Sequence, residues 1–221
     1  MIYEERPTSL RRAGLREYVA VLRRDVESAL ARESGRVTCA LSGLIGAPAT
    51  DVLQITRFPD SGAWERGQSA WASRRELVEA EEVRLLRSVS SRPKESLPDE
   101  DRQAVYGYRK FFISASDLDE FVRCSEEGVW PRIEAQGARI LGLWSTAAAT
   151  DPLEVVLLTG YRGPAHWEAT RGSEPMPEGF DSDLWERGRR LGARRNELTL
   201  KSWVLLMRAL ELDGAPAQEG Q

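Results

Sequence analysis

The sequence predicts an α+β protein of two ferredoxin-like βαββαβ repeats, and two observations predict it. First, the chain carries one pattern twice. Ile2 to Glu65 aligns without a gap onto Val105 to Glu168, always 103 positions apart, with identities at Tyr3/Tyr106, Arg6/Arg109, Thr56/Thr159, Trp64/Trp167 and Glu65/Glu168. Class matches such as Ile2/Val105, Tyr18/Phe121 and Phe58/Tyr161 hold the register between them, which marks a duplication. Second, the apolar spacing in each repeat switches between a strand period and a helix period in the order strand, helix, strand, strand, helix, strand. Such a unit covers one sheet face with its helices and leaves the other bare and apolar. Two units in one chain can supply each other's cover, sheet against sheet.

In the first repeat, Ile2 to Thr8 reads as a strand, and Leu15, Tyr18, Val19, Leu22, Val26 and Leu30 trace an amphipathic helix. Val37 to Leu44 is strand-like, a turn carries Gly46 and Pro48, and Val52 to Phe58 is the third strand. A kinked or interrupted helical stretch from Ala63 to Ala80 leads to a fourth strand, Val83 to Val89. The second repeat runs Val105 to Phe112, a helix from Asp117 to Ala135, Arg139 to Trp144, Glu154 to Tyr161, a helical region, and Ser202 to Leu210. The repeats span 1–90 and 104–212, joined by a polar linker, 91–103, with Pro93 and Pro98. The tail 213–221 is expected to be disordered.

Composition narrows the function. With 41% hydrophobic and 30% charged residues the chain is a globular protein, and its net charge of −4 argues against a nucleic-acid partner. The longest apolar runs, Val155 to Leu158 and Val204 to Met207, are far too short for a membrane span of about 20 residues. The start MIYEERP lacks the basic and apolar pattern of a secretory signal, so a cytoplasmic location is expected. Cys39 and Cys124 occupy unmatched repeat positions and read as reduced, and a single histidine leaves no metal cluster to expect. Arg23, Arg24, Arg74 and Arg75 lie among glutamates and read as solvated helix faces.

The strings MIYEERPTSLRRAGLREYV, DVLQITRFPDSGAWERGQSAW and EEVRLLRSV resemble the NIPSNAP family of the dimeric α/β-barrel superfamily, and VYGYRKF with LEVVLLTGYRGPAHWEATRG is a weaker second copy. The resemblance implies a barrel of two sheets, an intramolecular pseudo-dimer here, in a superfamily that includes cofactor-independent monooxygenases, isomerases and haem proteins. The third strand departs from the family pattern: Gln54 and Leu157 stand where a histidine is frequent, and Thr56 and Thr159 replace a tryptophan.

The second repeat holds the distinctive groups. Arg109 and Tyr106 are candidates to steady an oxyanion, and His166, at the position of Ala63, is the candidate proton carrier. Tyr108, Trp144, Trp167, Phe180 and Trp185 are candidates to hold a flat, apolar substrate. Trp185 matches Trp71 if a loop, SEPMPEGFDSD, is inserted before it; Phe180 would anchor that loop as a lid or as plain surface. The expected site is one pocket between sheet and helices of the second repeat. The expected activity is acid/base chemistry without cofactor or metal (oxygenation, isomerisation or cyclisation) on an aromatic or polyketide-like hydrophobic small molecule. A non-catalytic binding or scaffolding role is the second reading, haem binding through His166 the third. Further homodimerisation stays open.

Overall fold

The computed structural model describes residues 1–11, 14–94, 101–148, 151–172 and 175–210. They form two compact units, one of Met1–Leu85 with the chain from Arg208, the other of Leu86–Met207. The tail expected over 213–221 and residues 95–100 of the expected linker lie outside the described residues.

The first unit runs β1 (Ile2–Leu10), α1 (Leu15–Val21), a π-helical turn (Leu22–Val26), α2 (Glu27–Arg32), β2 (Arg36–Ile45), β3 (Asp51–Phe58), α3 (Ser61–Gly67), a 3₁₀ stretch (Gln68–Leu77) and β4 (Val78–Glu81). Its strands lie in the order β2–β3–β1–β4, all antiparallel. Asp60 caps α3 by accepting the backbone N–H of Ala63 at 2.8 Å. Tyr18, Leu22, Val26 and Leu30, the apolar stripe legible in the sequence, are fully buried against Val52 and Phe58.

The second unit opens with the end of β5 (Arg84–Ser88) and continues with β6 (Val105–Ile113), α4 (Leu118–Cys124), a π-helical turn (Ser125–Val129), α5 (Trp130–Ala135), β7 (Arg139–Thr146), β8 (Leu153–Tyr161), α6 (Pro164–Ala169), α7 (Ser182–Glu197) and β9 (Thr199–Ala209). The strand order is β9–β6–β8–β7–β5. Phe111, Phe121, Ile133, Leu143 and Val155 form its core, with Phe111 and Phe121 edge to face at 5.0 Å.

The register of 103 survives in three dimensions. The π-turn occurs at Leu22–Val26 and again at Ser125–Val129, 103 residues on. The register shift of β2 at Val37/Cys39 recurs in β7 at Ile140/Gly142, and the pair Ile2↔Phe58 recurs as Val105↔Tyr161. A π-turn widens the backbone by one residue per turn. In the second unit the Ser125 hydroxyl answers the loosened ladder by donating to the Phe121 carbonyl at 2.8 Å.

The fourth strand of the first repeat differs from expectation. The helical stretch ends at Leu77, and Val78–Glu81 pairs with Thr8–Leu10 of β1; Leu86–Ser88 pairs instead with Trp144–Thr146 of β7. The cause is electrostatic: Glu81 binds Arg6 at 3.0 Å and Arg74 at 2.6 Å, which draws this segment onto β1. Arg74, expected on a solvated face, is therefore buried.

One matched pair of positions carries a test of the duplicated core. The Tyr18 hydroxyl donates to Gln54 Oε1 at 2.6 Å, whereas the corresponding residues of the second repeat, Phe121 and Leu157, are both apolar. Tyr18→Phe alone strands a buried amide and is predicted to cost about 1–3 kcal/mol. Adding Gln54→Leu is predicted to recover most of that loss. Chemical denaturation of both single variants and the double variant reads the coupling; additive losses would refute it.

Candidate functional site

In the second unit a cavity of about 490 Å³ lies between the sheet and its helices. Alternation along β6 sets its floor, because Gly107 and Arg109 share the face of the core residues Phe111 and Ile113. Leu157, Thr159 and Tyr161 of β8 and Val204 of β9 complete the sheet side. Val129 of the π-turn and Arg132 and Ile133 of α5 form one wall. Trp167 of α6, the following Arg171, and Arg189 and Arg195 of α7 close the rest.

Five arginines thus face one cavity, and its lining contains no aspartate, glutamate, histidine or cysteine. Arg132 and Arg195 are only 5% and 8% exposed. Among the described residues neither they nor Arg109 form a carboxylate ion pair. Arg132 Nη2 donates to the Thr170 carbonyl at 3.2 Å, while its Nε and Nη1 are buried without a hydrogen-bond partner. The Nε of Arg195 is likewise unpartnered. Both guanidiniums lean on rings: Arg132 on Trp185 at 5.1 Å, Arg195 on Phe111 at 5.2 Å. Gly188 makes room for Arg132, since a Cβ there would come within 2.7 Å of its side chain.

Burial lowers the proton affinity of all three inner arginines. Arg195 falls to about 10, through desolvation first and then its like-charged neighbours Arg109 and Arg132. Arg109 is lowered by desolvation and by Arg171, and Arg132 by desolvation and by Arg189. Burial also pushes the Tyr161 phenol up, against the pull of Arg109, so it faces the cavity as a protonated donor. A positive, partly apolar and aromatic cavity with unused N–H groups can hold an organic anion.

The first unit shows the same place filled. Arg6, the counterpart of Arg109, donates to Glu4 Oε1 at 2.7 Å and to Gln68 Oε1 at 2.7 Å. Trp64, the counterpart of Trp167, donates its indole N–H to Glu4 Oε2 at 2.6 Å, and Gln68 Nε2 donates to the same oxygen at 2.8 Å. Glu4 and Glu81 balance Arg6 and Arg74 inside that unit.

Of the residues singled out in the sequence, Arg109 and Trp167 line the cavity and the others do not. Tyr106 and Tyr108 sit on the opposite face of β6, where the Tyr106 hydroxyl accepts the Gln103 N–H at 3.1 Å and Lys110 lies over the Tyr108 ring at 5.5 Å. Trp144 is fully buried over Gly142. Trp185 supports Arg132 from behind, and Phe180 packs on Trp185 at 5.6 Å, anchoring the inserted loop. His166 is a clamp: Nδ1 accepts the Arg162 N–H at 3.1 Å and Nε2 meets the Gln136 carbonyl at 2.9 Å. Both ring nitrogens are hydrogen-bonded to backbone groups, and His166 does not line the cavity. The sequence reading missed Arg132, Arg171 and Arg195. The repeat comparison held the signal for two of them, since Ala29 becomes Arg132 and Gln68 becomes Arg171.

Among the described residues no group of three or more His, Cys, Asp or Glu side chains could hold a metal ion, and no helix is long and apolar enough to cross a membrane. Cys39 and Cys124 are free thiols.

Neither a family model nor a curated protein matches the sequence, so NIPSNAP membership is not shown. Solved structures do match. A proposed monooxygenase of Lactobacillus acidophilus NCFM aligns with a TM-score of 0.62 at 11% identity, over 94% of this chain and 93% of its own. A proposed monooxygenase of Fusobacterium nucleatum gives 0.60 at 9% identity over 95% and 92%. An anthrone oxidase-like protein gives 0.57 at 10% identity over 95% and 91%. The chain therefore has the α+β fold of the dimeric α/β-barrel class.

The two arginine sets predict opposite responses. Arg195→Met removes a buried charge without a carboxylate counter-ion and is expected to raise stability by about 1–3 kcal/mol. Arg6→Met leaves the buried Glu4 without its cation and Glu81 with Arg74 alone, and is expected to cost about 3–5 kcal/mol. Because burial lowers the folded pKa of Arg195 to about 10, below its ordinary value, its charge opposes folding at lower pH, and the penalty is relieved as pH rises through and above about 10. Denaturant midpoints at pH 7 and pH 10.5 check both signs and the shrinking gain of Arg195→Met at the higher pH.

Proposed function

We propose that this protein acts on a small acidic molecule with an aromatic body, held as its anion in the second unit's cavity. The observation that carries the reading is a cavity faced by five arginines and lined by no carboxylate. Its volume lies within the range of about 300–1,000 Å³ typical of ligand pockets. Trp167, Tyr161, Leu157 and Ile133 supply the surface for a ring. The chemistry that fits is stabilisation of an enolate or phenolate by preorganised guanidiniums, the electrostatic core of a cofactor-free oxygenation, isomerisation or cyclisation. The resemblance in fold to proteins described as monooxygenases and as anthrone oxidase-like supports this class.

In this scheme Arg109, Arg132 and Arg195 lower the pKa of the bound enol, and the Tyr161 phenol donates to the developing oxyanion. His166 takes no part. The matched π-turns, sheet registers and strand orders support two ferredoxin-like repeats fused into one pseudo-dimer.

A non-catalytic anion carrier is the second reading, favoured by the same lining, which offers no histidine or carboxylate as a general base. Incubation with hydroxylated anthrones and naphthols in an oxygen-electrode and product assay separates the two. The enzyme reading expects turnover that falls about 100-fold or more in Arg195→Gln and is unchanged in His166→Gln. Binding of these compounds without product, across the panel, would favour the carrier. Mixing the protein with haem is expected to give no Soret shift that depends on His166.

A further inference from the structure

We infer that the acidic group recognised in the second unit is a carboxylate, seated where the side chain of Glu4 sits in the first. This deepens the anion-binding reading above and rests on it. In the first unit one carboxylate is cradled by three donors: Arg6 Nε at 2.7 Å, Trp64 Nε1 at 2.6 Å and Gln68 Nε2 at 2.8 Å. Their counterparts are Arg109 and Trp167 in the aligned register and, three residues past its end at the same spacing of 103, Arg171; all three line the cavity. The cradle is thus retained, and strengthened by an arginine in place of a glutamine. What is lost is the carboxylate itself, because the counterpart of Glu4 is Gly107, on the cavity floor.

The exchange makes physical sense only if another anion takes that place. In the first unit this donor set already seats both oxygens of a carboxylate, Oε1 on Arg6 and Oε2 on Trp64 and Gln68, and a guanidinium fork matches a planar carboxylate. Removing the glutamate opens the space and uncovers the charge at once. The rest of the ligand then extends past Leu157 and Ile133 toward Arg132 and Arg195, which face a second acidic or enolic oxygen. The first unit carries the closed form of the same site, with the ligand's anchoring group supplied by the chain.

The decisive variant is Gly107→Glu, which restores the first unit's carboxylate. The glycine backbone accepts a Cβ with a small adjustment, since the nearest atom, Tyr161 Cε2, stands at 3.2 Å. Binding of 2-hydroxybenzoate, benzoate, benzamide and inorganic phosphate is measured by calorimetry on the full chain. The wild type is expected to bind 2-hydroxybenzoate and benzoate at least tenfold more tightly than benzamide or phosphate, a difference of about 1.4 kcal/mol or more. Gly107→Glu is expected to lose benzoate binding and to melt at a higher temperature, its new carboxylate neutralising the cluster. Should Gly107→Glu fail to fold, Arg171→Gln at the exposed rim is the second variant, with an expected loss of about tenfold in benzoate affinity. Benzoate affinity unchanged in Gly107→Glu or, where that variant does not fold, in Arg171→Gln overturns the inference while leaving the anion-binding reading standing. Phosphate or benzamide binding as tightly as benzoate overturns it too. Failure of the wild type to bind any of these anions overturns it, and where the anthrones and naphthols also fail to bind, the anion-binding reading falls as well.

Discussion

A guanidinium removed from water costs several kcal/mol unless an anion comes with it, and this constraint organises both halves of the molecule. The first unit meets it internally, with Glu4 and Glu81 set against Arg6 and Arg74. That network also decides where the chain goes after its 3₁₀ stretch, because Glu81 ties β4 to β1. The second unit keeps Arg109 for Arg6, adds Arg132 and Arg195, and lines its cavity with no carboxylate. Its fold holds in spite of the cavity, by packing Phe111, Phe121 and Ile133 beside it and by laying guanidiniums on rings.

Stability and function are therefore opposed at one place. Arg132 and Arg195 are held by aromatic faces, single hydrogen bonds and a glycine on α7, contacts that fix their positions without neutralising them. Positions fixed in advance are what an electrostatic site requires, since donors that need not move at the moment of binding lose little entropy. The π-turn contributes by setting Val129 and Arg132 toward the sheet, while its counterpart in the first unit supplies Val26 and Leu30 to a closed core.

Much of the fold was legible because it depends on periodicity. The stripe Tyr18, Leu22, Val26, Leu30 and the extents of β1, β3, β6 and β8 survive into the structure with small changes at their ends. The fourth strand of the first repeat was not legible in the same way. Val83 to Val89 is as apolar as Val78 to Glu81 is mixed, and what selects the latter for β1 is an ion-pair network spanning residues 4 to 81. The site was legible only in part. Arg109 and Trp167 stood out as identities between repeats, and His166 as a rarity, yet rarity says nothing of whether a ring nitrogen is already spent. Trp185 and Phe180 are aromatic for packing, as supports of Arg132 and of the inserted loop.

By itself the sequence determined a fixed register of 103 positions between two segments, the order of most elements, the helix stripes, and the places where the two segments part company. These follow from local period and side-chain volume, which a linear string records. Only the tertiary structure decided what the differences mean, because charge balance is a property of neighbours in space. Gly107 in place of Glu4, Arg132 in place of Ala29 and Arg171 in place of Gln68 are three unremarked substitutions along the chain. Folded, they meet Arg109 and Arg195 around one cavity and leave it in want of an anion.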